Sequence, residues 1–517
     1  MHPRKQPCRR WSNCASWALE CTGGAARYGL RHRIGRGAWM SFARGLAKDA
    51  IASVARHVAT VVAGVVTVPI LARSLGAERL GFWSFLGTTA FVLALTDLGL
   101  NTVTLRAAAG NDPAHARRVA RLATSITVLV SLPAAAACIP WLWSVARELP
   151  QQHRADAHIA ILIALGGGII NAVSQPLRSY AQGQGYLVRL AWARALGVLV
   201  QFVVTVTGLA FGYRLRAVAT GFLCGAVLEG LLGWWAASDG VQARGFPGRE
   251  HKREILRVAG AGMMTNLAVI FAVRLDIFVL ERVTNLATIG AYSVAQRIVD
   301  QGFTVVKQIS SALVPRLGAR SANRGAAIAL GTMTMGVLAG APLAALAVAG
   351  RELIVWWAGP AVDQPILLPA LVFFSLAAMF VSVETVATSG MSVGGNAVTA
   401  ARFVMIGALT NVALSFLGGF TLGAWAVSAA TATGSLLVTI LVWRATRQSL
   451  GWAWAQVRAT LSAPLTAIVV SGGVSFWLTT FGINSIAAML TGTTLGLTIA
   501  LVSVWRFVRD FEKAGAT

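Results

Sequence analysis

The chain has 517 residues, 56% of them hydrophobic and only 12% charged, with a mean hydropathy of +0.66. That is about half the charged share of a soluble domain. It excludes a disordered chain and argues against a soluble enzyme, while apolar runs recurring at the ~20 residues a bilayer requires indicate one polytopic membrane domain. Lys and Arg number 44 against 19 Asp and Glu, a net charge of +25; cytoplasmic loops of membrane proteins collect such an excess. With no zinc finger, no recognition-helix pattern and no long basic tract beyond the N-terminus, nucleic acid is not the expected partner.

Residues 1–39 differ in composition from the rest of the chain. They carry Arg4, Lys5, Arg9, Arg10, Arg27, Arg31, Arg33 and Arg36 against Glu20, and contain no apolar core for a signal peptide. We read Met40 as the start of the folded chain and 1–39 as upstream sequence, the alternative being a disordered basic tail. An N-terminal peptide from before Met40, found by mass spectrometry of the purified protein, would remove the first reading. Cys8, Cys14 and Cys21 have no tight pairing, and Cys138 and Cys224 lie in apolar spans, so neither a zinc site nor a disulfide framework is expected.

From there the hydropathy, broken by Gly, Pro and charge, gives about fourteen helical spans: 50–72, 82–105, 119–143, 157–181, 189–212, 215–237, 255–280, 287–316, 325–349, 365–389, 397–420, 422–443, 459–481 and 483–505. The short links within 189–237 and 397–443 leave the range at 12–14. With the N-terminus inside, the cytoplasmic links hold Arg106, Arg117, Arg118, Arg121, Arg178, Arg189, Arg194, Arg244, Arg249, Lys252, Arg253 and Arg257, then Arg316, Arg320, Arg324, Arg402, Arg444, Arg447 and Arg458. The opposite face holds far fewer, Arg73, Arg79, Arg147, Arg154, Arg214, Arg216, Arg282 and Arg351. Both termini are therefore expected in the cytoplasm. The basic link 238–254 divides the chain into an N-lobe, 40–237, and a C-lobe, 255–443; residues 444–517 add two further spans and a basic tail.

The two halves resemble each other. Leu71, Arg73, Gly81 and Ser84 align without a gap on Leu280, Arg282, Gly290 and Ser293, and Leu80 and Trp83 fall on Ile289 and Tyr292. Each segment joins the first and second spans of a six-span unit. An even-numbered unit repeats in the same orientation, so the copies are related by an axis along the membrane normal, as in transporters whose substrate path runs between repeats.

Ionisable residues deep in a span cost ~2.5–3.5 kcal/mol on insertion scales and usually face a cavity. The candidates are Arg56 and His57 in the first span, Asp97 in the second, Glu229 in the sixth, Arg274 and Asp276 in the seventh, Arg297, Asp300 and Lys307 in the eighth and Glu384 in the tenth. In the eighth span Arg297, Asp300, Gln301, Thr304, Lys307 and Gln308 recur at helical steps on one stripe roughly 120° wide. The stripe lines water or a polar ligand; the competing reading is an internal ladder in which Arg297 and Asp300 neutralise each other. Asp97, Asn101 and Thr104 form a weaker stripe in the second span. Arg56 and His57 face either the cavity or the headgroups. Arg274 and Asp276 stand about 200° apart on a helix, so they serve different faces, Arg274 deep and Asp276 toward the outer surface. Glu229 and Glu384 are either cation or proton sites or structural partners of an arginine. Arg and Lys in a dry cavity suit an anionic, above all phosphate-bearing, ligand, and deep carboxylates suit ion or proton coupling. No Walker A, H-E-x-x-H or G-x-S-x-G setting and no metal spacing is present, so no catalytic residue, metal or cofactor is expected.

Pro69-Ile-Leu-Ala-Arg-Ser-Leu-Gly-Ala-Glu-Arg-Leu-Gly-Phe-Trp-Ser84, running on to Leu95-Thr-Asp-Leu-Gly-Leu100, resembles the N-terminal signature of the polysaccharide-synthesis transporters. These are the Wzx-like oligosaccharide flippases of the multidrug/oligosaccharidyl-lipid/polysaccharide exporter (MOP) superfamily. Arg274-Leu-Asp276 to Gly290-Ala-Tyr-Ser-Val-Ala-Gln-Arg297 resembles the start of the second half of that family. The resemblance implies an all-α integral membrane protein with two six-helix lobes in a V around a central cavity, plus two C-terminal helices. It implies that the first, second, seventh and eighth spans line the cavity and gate it laterally. It also implies a polyprenyl-pyrophosphate-linked oligosaccharide as substrate, turned to the periplasmic leaflet by alternating access. The cavity cations then fall on Arg56, Arg274, Arg297 and Lys307, with Asp97, Asn101, Gln301, Thr304 and Gln308 as polar lining. Asp97, Asp300 and Glu384 are the candidates for coupling H+ or Na+. The expected setting is a monomer in the bacterial inner membrane, among membrane lipids and other membrane proteins of polysaccharide assembly.

Three other readings compete. A peptidoglycan lipid-precursor flippase of the same superfamily has a different N-terminal signature. A drug/cation antiporter fits a cationic cavity poorly. A membrane polymerase or ligase needs a sizeable outer loop for its reacting groups, and the longest outer link here is only 144–156.

Overall fold

A computed structural model describes residues 61–110, 112–237, 245, 248, 252–319, 324–391 and 396–515; the side chains of 304–319 lie outside that description. So do Arg56 and His57, the 1–39 segment and most of the 238–254 link. The described residues are helical, with no strand among them. In chain order the helices are α1 (Val61–Leu75), α2 (Ala77–Val92), a 3-10 turn (Leu93–Asp97), α3 (Leu100–Ala108), α4 (Pro113–Ala146), α5 (Gln151–Gly183), α6 (Leu187–Ala210) and α7 (Arg214–Ala236). They continue as α8 (Lys252–Val273), α9 (Leu275–Val283), α10 (Leu286–Ala319), α11 (Arg324–Ala358), α12 (Leu367–Met391), α13 (Ala397–Leu422), α14 (Ala424–Leu450), α15 (Trp454–Thr480) and α16 (Ser485–Gly515).

Among the described residues 11 helices are long and apolar enough to cross a membrane, and the chain is a multi-pass membrane protein. The first, seventh and eighth expected spans correspond to α1, to α8 with α9, and to α10. Local chemistry accounts for the boundaries. Asp112 caps α4 by accepting from the His115 amide at 2.9 Å, with Pro113 in the first turn. The second expected span is broken rather than continuous: Leu98 and Gly99 take left-handed conformations, with φ of 50° and 77°, between the 3-10 turn and α3. Asp97 stabilises that break by accepting from the amides of Gly99 at 3.1 Å and Asn101 at 3.4 Å. The seventh span is interrupted at Arg274, which separates α8 from α9.

Packing divides the helices into two groups. α7 packs on α5 and α6, and α5 on α3 and α4; in the second half α13 packs on α14, while α12 packs on α10, α11 and α14. α15 and α16 pack on each other and on α11. The main contacts between the halves are α2 with α10 and α3 with α8. Because lipid tails are as apolar as leucine, small residues that let backbones approach hold such helices together. The two halves do this in the same way. A Cβ on Gly225 would stand 2.8 Å from the Gly197 carbonyl oxygen between α6 and α7; a Cβ on Gly434 would stand 2.7 Å from that of Gly407 between α13 and α14.

The same signature appears where the halves meet. A Cβ on Gly81 of α2 would stand 1.7 Å from the Leu286 carbonyl oxygen, and one on Gly290 of α10 would stand 2.4 Å from that of Ala77. This is the contact at the sparsely basic face. At the opposite, arginine-rich face a Cβ on Gly99 would lie 2.1 Å from the Ala259 carbonyl oxygen, and one on Gly262 would lie 2.9 Å from that of Gly99. An aromatic group reinforces the first contact: Phe85 of α2 meets Trp141 of α4 at 5.0 Å and Phe278 of α9 at 5.6 Å.

Candidate functional site

Two of the arginines singled out in the sequence lie between these glycine contacts. Arg274 occupies the break between α8 and α9, its amide bonded to the Ile270 carbonyl at 2.8 Å. Its guanidinium lies over the Phe91 ring of α2, 5.2 Å from the centroid, a cation–π contact across the halves. Arg297 of α10 lies within electrostatic reach of both Arg274 and Asp300. It also borders a mostly apolar pocket of about 210 Å³ formed by Gly64, Val65 and Val68 of α1, Ile298 and Gln301 of α10, and Leu353 and Trp357 of α11. Val65 on that pocket is 40% exposed, so the pocket communicates with the surface of the helix bundle. Gln301 closes on α1: a Cβ on Gly64 would meet its Nε2 at 2.5 Å. A cationic group thus borders an apolar pocket formed by α1, α10 and α11.

Asp97 is 1% exposed. Besides the two backbone amides it takes side-chain hydrogen bonds from Asn101 and from Asn266 of α8, so it ties the helix break to the facing half. Asn101 Oδ1 is buried without a hydrogen-bond partner among the described residues, and Thr104 turns back to the Leu100 carbonyl at 2.9 Å. Asp300 of α10 is half-buried and lies within electrostatic reach of Arg297. Thr304, Lys307 and Gln308 lie on helical backbone with side chains outside the described set, and Arg56 is outside the described residues altogether.

Glu384 of α12 is separate from this group. It is 8% exposed, with Thr439 Oγ1 of α14 3.5 Å from its Oε2. Glu229, read from the sequence as either an ion site or an arginine's partner, is the partner. It pairs with Arg178 of α5 and, at 2.6 Å, with Arg194 of α6, while Arg178 also donates to Asn171 Oδ1 at 2.6 Å. This triad pins α5, α6 and α7 together.

Asp276 is 1% exposed inside the second half. Its Oδ2 accepts from Tyr292 Oη of α10 at 2.9 Å and Thr431 Oγ1 of α14 at 2.6 Å. Its Oδ1 accepts from Asn411 Nδ2 and Ser415 Oγ of α13, each at 3.4 Å. The physical reason is the break at Arg274, which seats α9 against α10, α13 and α14, so that Asp276 turns inward while Arg274 turns toward Phe91. One carboxylate, an amide oxygen and three hydroxyls converge there, an oxygen-rich set of the hard-donor kind that suits a small cation. The signal available in the sequence was Asn411 and Ser415 one helical turn apart in an otherwise apolar span, with Thr431 in the next.

The sequence profile of the family described as "Polysaccharide biosynthesis protein" matches residues 46–320. Among curated proteins no significant match is found. Of solved structures, one described as "Lipid II flippase MurJ, inward closed conformation" has 12% identity and a TM-score of 0.69, covering 90% of this chain and 99% of that one. An inward-facing multidrug resistance MATE transporter of the MOP superfamily has 17% identity and a TM-score of 0.61, covering 78% and 96%. A MOP superfamily transporter from Pyrococcus furiosus, described by the reverse polarity of its binding pocket, has 16% identity and a TM-score of 0.55, covering 79% and 95%. The fold is theirs, and the chain itself belongs to the polysaccharide biosynthesis protein family.

Proposed function

We propose that the protein is a flippase that moves polyprenyl-pyrophosphate-linked oligosaccharide repeat units from the cytoplasmic to the periplasmic leaflet of a bacterial inner membrane, for O-antigen, capsule or exopolysaccharide assembly. The observation that carries this reading is the placement of Arg297. Its guanidinium, with Arg274 nearby, supplies the charge-assisted donors a pyrophosphate needs. The apolar pocket against α1 suits the first isoprene units of the carrier, and an opening between helices lets the remaining tail stay in lipid. Such a substrate crosses without chemical change, so the protein acts as a transporter rather than an enzyme. Closing contacts at the two faces, Gly81–Gly290 and Gly99–Gly262, are what alternating access requires if they open in turn.

Asp276 supports a refinement, namely coupling to a small monovalent cation. A sodium ion or proton on Asp276 neutralises a carboxylate shared by α9, α10, α13 and α14 and biases how α9 and α10 sit against the first half. Asp276 joins Asp97, Asp300 and Glu384, the coupling candidates offered by the sequence, with Glu384 a further proton-binding candidate inside the second half. The cationic site disfavours a drug antiporter, whose substrates are usually cations.

The test is reconstitution. Proteoliposomes receive a fluorescent polyprenyl-pyrophosphate oligosaccharide, and a membrane-impermeant quencher reports its leaflet. The account expects protein-dependent exchange that is lost in Arg297→Gln; exchange equal to that of empty liposomes would reject it.

A further inference from the structure

We infer that the arginine-rich ends of α6 and α7 hold an anionic phospholipid of the surrounding membrane, at a seat on the outside of the first half and separate from the transport path. The observation is an uncompensated charge beside exposed apolar side chains of α6 and α7. Arg189 is exposed at the start of α6, its guanidinium 4.9 Å from the centre of the Tyr186 ring and 5.2 Å from that of Trp235 on α7. These rings fix the guanidinium in place and leave its N–H edge free to meet an acceptor. No carboxylate among the described residues forms an ion pair with it. Five residues further along α6, the side chain of Arg194 is 47% exposed although it reaches Glu229. Glu229 is already shared with Arg178, so two arginines face one acid.

Below these cations the two helices present apolar side chains to lipid. Trp192 is 64% exposed, Trp235 59% and Leu231 56%. Trp192 stands one turn from Arg189 on the same face of α6, and Leu231 one turn from Trp235 on α7. Such tryptophans sit at the level of the headgroups. The end of the bundle they mark also carries the links with Arg106, Arg117, Arg118 and Arg121, the composition of a cytoplasmic face, where basic pockets between helices take phosphate headgroups. An anionic phospholipid satisfies both features at once: its phosphate and charged headgroup meet Arg189 and Arg194, and its chains lie along Trp192, Trp235 and Leu231. A zwitterionic lipid brings the same chains without the net charge. The seat lies on α6 and α7, which make no extensive contact with the second half, so its occupant is not the transported lipid.

The experiment is native mass spectrometry of the full-length purified protein, titrated separately with phosphatidylglycerol and phosphatidylcholine of the same chains. The expected result is stronger retention of phosphatidylglycerol, reduced about fivefold by Arg189→Gln and further by Arg189→Gln with Trp235→Leu. Arg297→Gln in the proposed path leaves that retention unchanged. Equal retention of the two lipids by the wild-type chain overturns the proposal, and this arm needs no variant to fold. Loss of phosphatidylglycerol in Arg297→Gln with retention in Arg189→Gln also overturns it, by placing the lipid between the halves.

Discussion

Gly81 and Gly290 occupy equivalent positions in the two halves of the sequence and touch each other in the fold. A Cβ on Gly81 would stand 3.0 Å from the Gly290 nitrogen, and one on Gly290 would stand 3.1 Å from the Gly81 nitrogen. The reciprocity extends to the neighbouring backbone: Gly81 faces the carbonyl of Leu286 and Gly290 that of Ala77, and these two residues are also repeat equivalents. A contact in which each residue meets its own counterpart lies on the axis relating two copies. Helices α2 and α10 therefore cross on the pseudo-two-fold axis, where backbone touches backbone and only glycine fits.

Adding a side chain there should hold that crossing open. Gly81→Val places a branched side chain where the Leu286 carbonyl lies 1.7 Å from the Cβ position, so α2 and α10 must separate. Spin labels on the ends of α2 and α10 should report a longer distance by electron–electron double resonance, and transport should fall by an order of magnitude or more. Gly87→Ala, with nothing within 4 Å of its Cβ position, is the matched control. An unchanged label distance in Gly81→Val would remove this contact from the gating scheme.

Replacing Arg297 or Arg274 by Gln should reduce transport by about 10- to 100-fold, the loss of one charge-assisted contact at ~1.5–3 kcal/mol. Membrane abundance should stay near wild type. Arg297→Lys, which keeps the charge but loses the planar fork, should be intermediate. Initial rates normalised to protein on immunoblots measure this; full activity in both Gln variants would show that the anion binds elsewhere.

Asp276→Asn retains the shape of the side chain and, through its one remaining oxygen, two of the four hydrogen bonds that Asp276 accepts from Tyr292, Thr431, Asn411 and Ser415, but removes its charge. It should abolish the response of transport to an imposed Na+ or proton gradient while leaving gradient-independent exchange measurable. Flipping rates in proteoliposomes with and without each gradient give the comparison. A gradient response equal to wild type would exclude Asp276 as the coupling group.

Glu229→Gln leaves Arg178, whose side chain is 15% exposed, without its counter-ion. Breaking a buried pair from one side costs ~3–5 kcal/mol, so the purified variant should melt well below wild type. The double change Arg178→Met with Glu229→Leu should recover part of the loss. A melting temperature unchanged in Glu229→Gln would show that the triad does not hold α5, α6 and α7 together.

The features legible in the sequence were those with a local signature. Spans declared themselves by length and apolarity, and Gly81 and Gly290 stood out because identical residues recurred around them in register. The glycine pairs Gly197–Gly225 and Gly407–Gly434 were not recognised, because isolated glycines in apolar helices do not reveal which neighbour they meet. Asp276 shows the other limit. A helical projection sets it opposite Arg274 but does not show what it meets. Its environment is set by Asn411, Ser415 and Thr431, more than 130 residues along the chain, and by a helix break at Arg274. The break in the second span was hidden for a similar reason: the left-handed Leu98 and Gly99 look, in sequence, like an ordinary stretch of helix.

The most direct test of the central claim is the leaflet in which the lipid-linked oligosaccharide resides in cells that lack this protein. The account predicts that deletion leaves full-length repeat units on the polyprenyl carrier in the cytoplasmic leaflet and abolishes the surface polymer. It also predicts that the wild-type gene, but not Arg297→Gln, restores both. Repeat units reaching the outer leaflet normally in the deletion strain would contradict it.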